Sequence, residues 1–165
     1  MTNTHEENVQ KLAELIHGIK VAMMTTVDTD GAIHSRPMAT QQAAFDGDLW
    51  FFTAASSHKS EEVKRDARVN LTYVSHDDNR YVSVTGTAEL WKDRIKAQEL
   101  WSPFHLAWFP KGVEDPDLAL LKITVEQAEY WDSPSSAAVK LAGFAKAVLA
   151  GQRHDGGGEN RKIDL

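Results

Sequence analysis

The sequence predicts a mainly β (α+β) fold, a small antiparallel β-barrel of about six strands with helices at its periphery. Two observations lead to this prediction. Short β-rich runs follow one another with turn residues between them, whereas a parallel sheet requires strands that alternate regularly with helices. Helical periodicity is confined to the two ends of the chain and to two short stretches between strands. A length of 165 residues fits one domain with its own core.

The first half of the chain is predicted to hold a helix and three consecutive antiparallel strands. The helix has apolar residues at helical spacing, a capping box at Thr4 and Glu7, and Gly18 after its last turn. Asp-Gly turns separate the strands, which are rich in β-branched and aromatic residues. The predicted bounds are about 5–17 for the helix and 21–27, 32–42 and 49–53 for the strands.

The second half is predicted to hold three strands and three helices. Serines that suit an N-cap, followed by acidic residues, predict a surface helix within 54–66. Pro and aromatic residues predict a loop at 102–116. Ser133 and Pro134 are typical of a helix start, and Gly151 of a helix end. The remaining predicted elements are strands at 68–75 and 81–91, a last β region at 120–125 and 127–131, and a helix at 92–101.

We expect a single domain over residues 1–151 and a C-terminal tail over 152–165. The tail contains three consecutive glycines and many charged residues. Such a composition is typical of an extended segment or of one that wraps a partner subunit.

The composition excludes several classes of function. Asp and Glu outnumber Lys and Arg by 24 to 18, and this net charge of −6 repels a nucleic acid backbone. The absence of cysteine excludes disulfides, thiolate metal sites and a cysteine nucleophile, and it fits a reducing compartment. We expect neither a signal peptide nor a membrane span, because the N-terminal segment is polar and no long apolar run occurs. The expected location is therefore the cytoplasm.

The common catalytic and nucleotide-binding motifs do not occur in the sequence. It has no Gly-rich dinucleotide or Walker loop, no zinc-protease motif and no nucleophile elbow. Its seven histidines are scattered without metal-ligand spacing. We therefore predict no metal site, and no catalytic residue is identified.

Two neighbouring segments together indicate an anion pocket. Arg36 lies on a predicted strand beside Pro37, which removes a ladder donor and indicates a sheet edge or irregularity. Ser57 and Lys59 lie at a predicted helix start, where free N–H groups and the helix dipole favour a phosphate. Each feature has an ordinary alternative, namely a solvent-facing arginine next to an edge proline, or a capped surface helix. Together they favour a phosphate pocket at the barrel rim, beside strand ends that are free to meet a planar ring.

A series of short motifs covers nearly the whole chain, from about residue 8 to 165. The motifs are Ala22–Thr26, His34–Met38, Leu49–Thr53, Ser57–Lys59, Val69–Tyr73, Val84–Ala88, Trp108–Gly112 and Glu129–Pro134. In this order and spacing they resemble the pyridoxamine 5'-phosphate oxidase-like flavoproteins, in particular the general stress protein branch. The resemblance implies a six-stranded antiparallel split β-barrel that forms a homodimer. It also implies FMN as the cofactor, with FAD as a substitute, in clefts at the subunit interface.

The site residues implied by the resemblance fall into three groups. The phosphate contacts are Arg36, Ser57, His58 and Lys59. The residues whose backbone would run beside the isoalloxazine ring are Pro37, Met38, Phe52 and Thr53. The residues that would stack on the ring or close the cleft are Trp131 and Trp108, with core filling and loop anchoring as their respective alternatives.

The implied function is that of a stress-related flavoprotein, either a flavin-dependent oxidoreductase or a flavin carrier. The end of the chain, from 143 to 165, lacks the basic, histidine-containing signature with which the oxidase of this family grips its pyridoxal substrate. Three alternatives stay open: a pyridoxamine-phosphate-oxidase-like enzyme, a barrel that binds deazaflavin or haem instead, and a cofactor-free interaction module.

Overall fold

A computed structural model describes residues 4–41, 43–133, 137–151 and 158–165 of the protein. Within these residues, one sheet of seven strands is accompanied by four α-helices. The helices are α1 (His5–Ile16), α2 (His58–Arg65), α3 (Arg94–Leu100) and α4 (Ala137–Ala150). The strands are β1 (Val21–Val27), β2 (Ile33–Ala39), β3 (Asp48–Ala54), β4 (Arg68–Ser75), β5 (Arg80–Trp91), β6 (Leu118–Asp132) and β7 (Glu159–Asp164).

The sheet is antiparallel, with the strand order β2-β1-β4-β5-β6-β3 and with β7 added on β6. It curls into the predicted split barrel, so the predicted fold class is confirmed. The expectation that the first three strands follow one another is wrong for β3, which pairs with β6 along its whole length. Both faces of β3 carry apolar side chains, so each face must pack against other apolar residues. Pairing with β6 places Phe51 in the main core and Phe52 in a second cluster on the other side of the sheet.

Helix α1 forms as predicted, because its capping box satisfies the first free N–H groups. Leu12 and Leu15 are its buried side chains. At its other end, the Arg80 side chain at the start of β5 donates hydrogen bonds to the carbonyl oxygens of Glu14 and Leu15 at 3.2 and 3.0 Å. This contact ties the end of α1 to the sheet.

The last predicted β region is a single strand with a bulge. The register between β5 and β6 shifts between Thr85 and Gly86, which leaves Glu126 as the extra residue on β6. Gly86 is required at this point, since a Cβ atom there would lie 2.3 Å from the backbone oxygen of Thr124. The bulge allows β6 to pair with both β3 and β7 along its length.

The C-terminal tail was expected to be extended or to wrap a partner subunit. Its last part is the extended strand β7, which pairs with β6 of the same chain and buries Ile163 in the main core. Helix α4 ends at Gly151, as predicted, and Gly151 has a φ of +62°. Pro134, part of the predicted helix start, lies outside the described residues.

Two apolar clusters stabilise the fold. The main core fills the inside of the barrel, where the alternate residues Ala22, Met24 and Thr26 of β1 point. The second cluster lies where α3 and the segment 102–116 cover the outer face of β3 and β6, with Leu120 at its centre. That segment, predicted as a loop, contains the 3₁₀ helices Pro103–Ala107 and Gly112–Glu114. None of the described helices is both long enough and apolar enough to cross a bilayer.

Candidate functional site

The start of α2 is fixed against the end of β3 by a chain of hydroxyl groups. Ser57 is the N-cap, and its Oγ accepts a hydrogen bond from the backbone N–H of Ser60. The Ser57 Oγ also lies 2.9 Å from the Ser60 Oγ and 3.3 Å from the buried Thr53 Oγ1. Ser60, fully buried, donates to the Ala54 carbonyl at 2.8 Å. The first turn of α2 therefore has a fixed position at the barrel rim.

Arg36 on β2 points to the core face of the sheet, towards α2. Its Nη2 lies 2.8 Å from a carboxylate oxygen of Glu62, and its Nη1 donates to the hydroxyl of Thr26. Thr26 in turn donates to the same carboxylate. Thr26 and Glu62 are buried, at 1% and 7% exposure, whereas the Arg36 side chain is 22% exposed. The solvent-facing arginine that we considered as an alternative is therefore wrong.

Lys59, one helical turn before Glu62, belongs to the same group of charges. Burial is the main cause that lowers the pKa of its ammonium group, and the nearby Arg36 charge lowers it further. The Glu62 carboxylate acts in the opposite direction. Two cations and one carboxylate thus interact at the first turns of α2, and when all three are ionised their net charge is +1.

Sequence reasoning missed Thr26 and Glu62. The signals were present, because Lys59 and Glu62 are three residues apart, a spacing that places two side chains on one face of a helix. Thr26 is a polar residue at a core-facing position of β1. Neither signal identifies Arg36 as the partner, since that contact joins separate elements.

The other predicted residues of β2, β3 and α2 have different surroundings. Pro37 is exposed on the outer face of β2, and His58 is exposed in the first turn of α2. The Met38 side chain is buried in the main core. Phe52 packs in the second cluster, with its ring centroid 5.7 Å from that of Trp101. The Met38 and Phe52 side chains are thus engaged elsewhere, so a ligand here would meet their backbone groups.

The two predicted tryptophans lie on other surfaces of the chain. Trp131 is 42% exposed and pairs in register with Tyr81 on the outer face of the sheet, so the core-filling alternative is wrong. Its strand β6 does not pair with β2, and its side chain lies on the face of the sheet opposite Arg36. Trp108 is 60% exposed, and its ring centroid lies 5.0 Å from that of Phe104. Within one chain, the structure does not bring Trp131 to Arg36.

A cavity of about 470 Å³ lies at another place, between the end of α1, residues 40–41 and 43–45, and the start of β3. The ten predicted site residues are absent from its described lining. In the part of the chain that the structure describes, no three His, Asp or Glu side chains come together as a group that could hold a metal ion. The group formed by Arg36, Lys59 and the start of α2 therefore lies outside this cavity.

Comparison with known proteins identifies the family. The family model described as "Pyridoxamine 5'-phosphate oxidase like" matches residues 7–155. The chain belongs to the pyridoxamine 5'-phosphate oxidase-like family. This confirms the resemblance that the motifs indicated.

Similar proteins come from fungi and bacteria. Protein bli-3 of Neurospora crassa is 29% identical over 157 residues, which cover 89% of this chain and 75% of that protein. The structure of a protein assigned as general stress protein 26 from Jannaschia sp. CCS1 has a TM-score of 0.76 at 25% identity, covering 97% of this chain and 99% of that one. The general stress FMN/FAD binding protein from Xanthomonas citri has a TM-score of 0.67 at 28% identity, with coverage of 79% and 92%.

We predict that Arg36→Ala destabilises the fold, because it leaves the Glu62 carboxylate buried without its cation. The expected loss in the free energy of unfolding is about 3–5 kcal/mol, measured by urea denaturation at pH 7. The double variant Arg36→Met with Glu62→Met should recover most of this loss, since an apolar pair removes both buried charges.

The matched control for Arg36→Ala is Arg68→Ala. Arg68 pairs with Asp66 at 2.6 Å, but its side chain is 78% exposed. Breaking such a surface pair should cost less than about 1 kcal/mol. If Arg36→Ala lowers the free energy of unfolding by no more than Arg68→Ala does, the buried Glu62 carboxylate is not stabilised by Arg36.

Proposed function

We propose that this protein binds FMN, with FAD as the alternative, and that Arg36, Lys59 and the first turn of α2 hold the cofactor phosphate. The observation that carries the proposal is the proximity of two cations at a capped helix start. Like charges repel, and this repulsion contributes to the lowered pKa of Lys59. An anion bound between them would relieve it.

The donors of this group fit a phosphate. A guanidinium group has five N–H bonds, and Thr26 and Glu62 each accept one from Arg36, so three remain. The first N–H groups of a helix have no partner within the helix and favour an anion. A charge-assisted hydrogen bond to a phosphate stabilises binding by about 1.5–3 kcal/mol.

The two strands beside this group support a place for the flavin ring. In the described sheet, β2 and β3 are the terminal strands of the six-strand order, so each has an edge without a sheet partner. Backbone groups along these edges, at Pro37, Met38, Phe52 and Thr53, would meet the polar edge of the ring. The bound flavin would supply the redox chemistry, and the protein would position it.

We also propose a homodimer with the cofactor at the subunit interface. The outer face of the sheet carries Val21, Met23, Tyr81 and Trp131, each 40–52% exposed. Exposed apolar residues grouped on one face are typical of a surface that another protein covers. Because Trp131 lies on the face opposite Arg36 in its own chain, it would reach the cofactor from a second subunit.

The proposed physiological role is stress-related and cytoplasmic, as a flavin-dependent oxidoreductase or a flavin carrier. Both solved structures compared above are described as general stress proteins, and one of them as an FMN/FAD binding protein. Glu62 already neutralises the charge of Arg36, so this arginine does not require a bound anion. A cofactor-free interaction module is therefore the competing function.

The visible absorption spectrum of the purified protein tests the proposed function. We expect the bands of oxidised flavin, and mass spectrometry of the molecule released on denaturation should identify FMN or FAD. A colourless protein that also fails to bind either added flavin at micromolar concentration would contradict the proposal and favour the interaction module.

Lys59→Met tests the phosphate contact without disturbing the Arg36–Glu62 pair. We expect the Kd for FMN to rise about 10-fold to 150-fold, the loss of one charge-assisted hydrogen bond, as measured by flavin fluorescence titration. The Kd for riboflavin, which has no phosphate, should stay nearly unchanged.

Lys64→Met is the control, because Lys64 lies on the same helix but pairs with Glu61 in solvent. Lys64→Met should change the Kd for FMN and the Kd for riboflavin by less than about 2-fold relative to the unaltered protein. Equal losses for FMN and riboflavin in Lys59→Met would show that Lys59 does not contact the phosphate.

A further inference from the structure

Glu62 is an unexpected residue for a phosphate site. Its carboxylate is buried, accepts hydrogen bonds from Arg36 and Thr26, and lies one helical turn after Lys59. A carboxylate repels a phosphate, so its place among the binding cations needs an explanation beyond affinity.

The contacts of Glu62 have two consequences for a bound phosphate. They hold one edge of the Arg36 guanidinium, so only the remaining N–H groups can face a ligand. They also lower the net charge of the group formed by Arg36, Lys59 and Glu62 from +2 to +1. The strength of attraction for an anion depends on this net charge.

We infer that Glu62 sets the phosphate selectivity of the site, because its charge reduces the preference of the site for a doubly charged phosphate over a singly charged one. A phosphomonoester such as that of FMN carries about 1.5 to 2 negative charges at pH 7. The pyrophosphate diester of FAD also carries two negative charges, but one on each phosphate, so only one of them lies on the phosphate next to Glu62 and the other is farther away. Glu62 thus acts as a specificity-determining residue that narrows the difference in affinity between the two flavins. The inference rests on the proposed flavin binding.

Glu62→Gln tests this inference, because the amide keeps the size and the hydrogen-bond acceptor of the side chain but removes its charge. Coulomb energy is proportional to the charge of the ligand. The fold-change in Kd for a doubly charged phosphate should therefore be the square of the fold-change for a singly charged phosphate at the same position. We expect the Kd to fall about 10-fold for FMN and about 3-fold for FAD, measured by fluorescence titration at pH 7.5 and fixed ionic strength.

Glu61→Gln is the matched control. Glu61 is the neighbouring residue on α2, and its side chain is 67% exposed and paired with Lys64. The same change of charge there should alter both affinities by less than about 2-fold. Equal factors for FMN and FAD in Glu62→Gln, or an equal response to Glu61→Gln, would overturn the inference while flavin binding stands. If the unaltered protein binds neither flavin, the proposed function fails as well.

The unaltered protein allows a second test that does not depend on how Glu62→Gln folds. The phosphate of FMN loses its second proton near pH 6, whereas the diester of FAD does not titrate there. The titratable and charged groups at the site are Arg36 on β2 and His58, Lys59 and Glu62 on α2, and both flavins meet the same set. We expect the ratio of the two Kd values to change by less than about 3-fold between pH 5 and 8. A change of about 10-fold or more in favour of FMN would overturn the inference.

Discussion

The carboxylate of Glu62 is buried, and the need to neutralise it determines how α2 meets the sheet. Arg36 from β2 and the hydroxyl of Thr26 from β1 supply the neutralising contacts, so three elements converge on one oxygen atom. The hydroxyl chain from Thr53 to Ser60 fixes the start of the same helix. Because α2 is held at both points, its first turn and Lys59 keep a constant position relative to the open edges of β2 and β3.

The two faces of the sheet have separate roles in this account. The core face carries Arg36 and is covered by α2, so it supplies the charged part of the site. The outer face carries Trp131 and Tyr81, which one chain leaves half-exposed. A second copy that covers this face would bring an aromatic side chain to the ring end of a flavin whose phosphate is held by the first. Cofactor binding and dimer formation are therefore linked in the proposed function.

Local patterns predicted most of the elements, because capping residues, turns and alternating apolar positions act over a few residues. The capping box of α1 and the glycine after α4 are examples. The pairing of β3 with β6 was missed, since an apolar strand does not specify its neighbour. Strand β7 was missed because its charged sequence resembles a solvated tail, and only Ile163 is buried. At the site, Arg36 and Lys59 were found from their types and positions. The ion pair with Glu62 depends on tertiary packing, which the sequence pattern does not show.

In the proposed function, Arg36, Lys59 and the start of α2 hold the phosphate of the cofactor. The ³¹P NMR spectrum of FMN bound to the protein, recorded as a function of pH, reports on this contact at the phosphorus atom. A phosphate held among these charges keeps its second negative charge to a lower pH than the free monoester does, so we expect the midpoint of its titration to lie about half a pH unit below that of free FMN. A titration curve that superimposes on that of free FMN would contradict the account, because the phosphate would then lie in solvent.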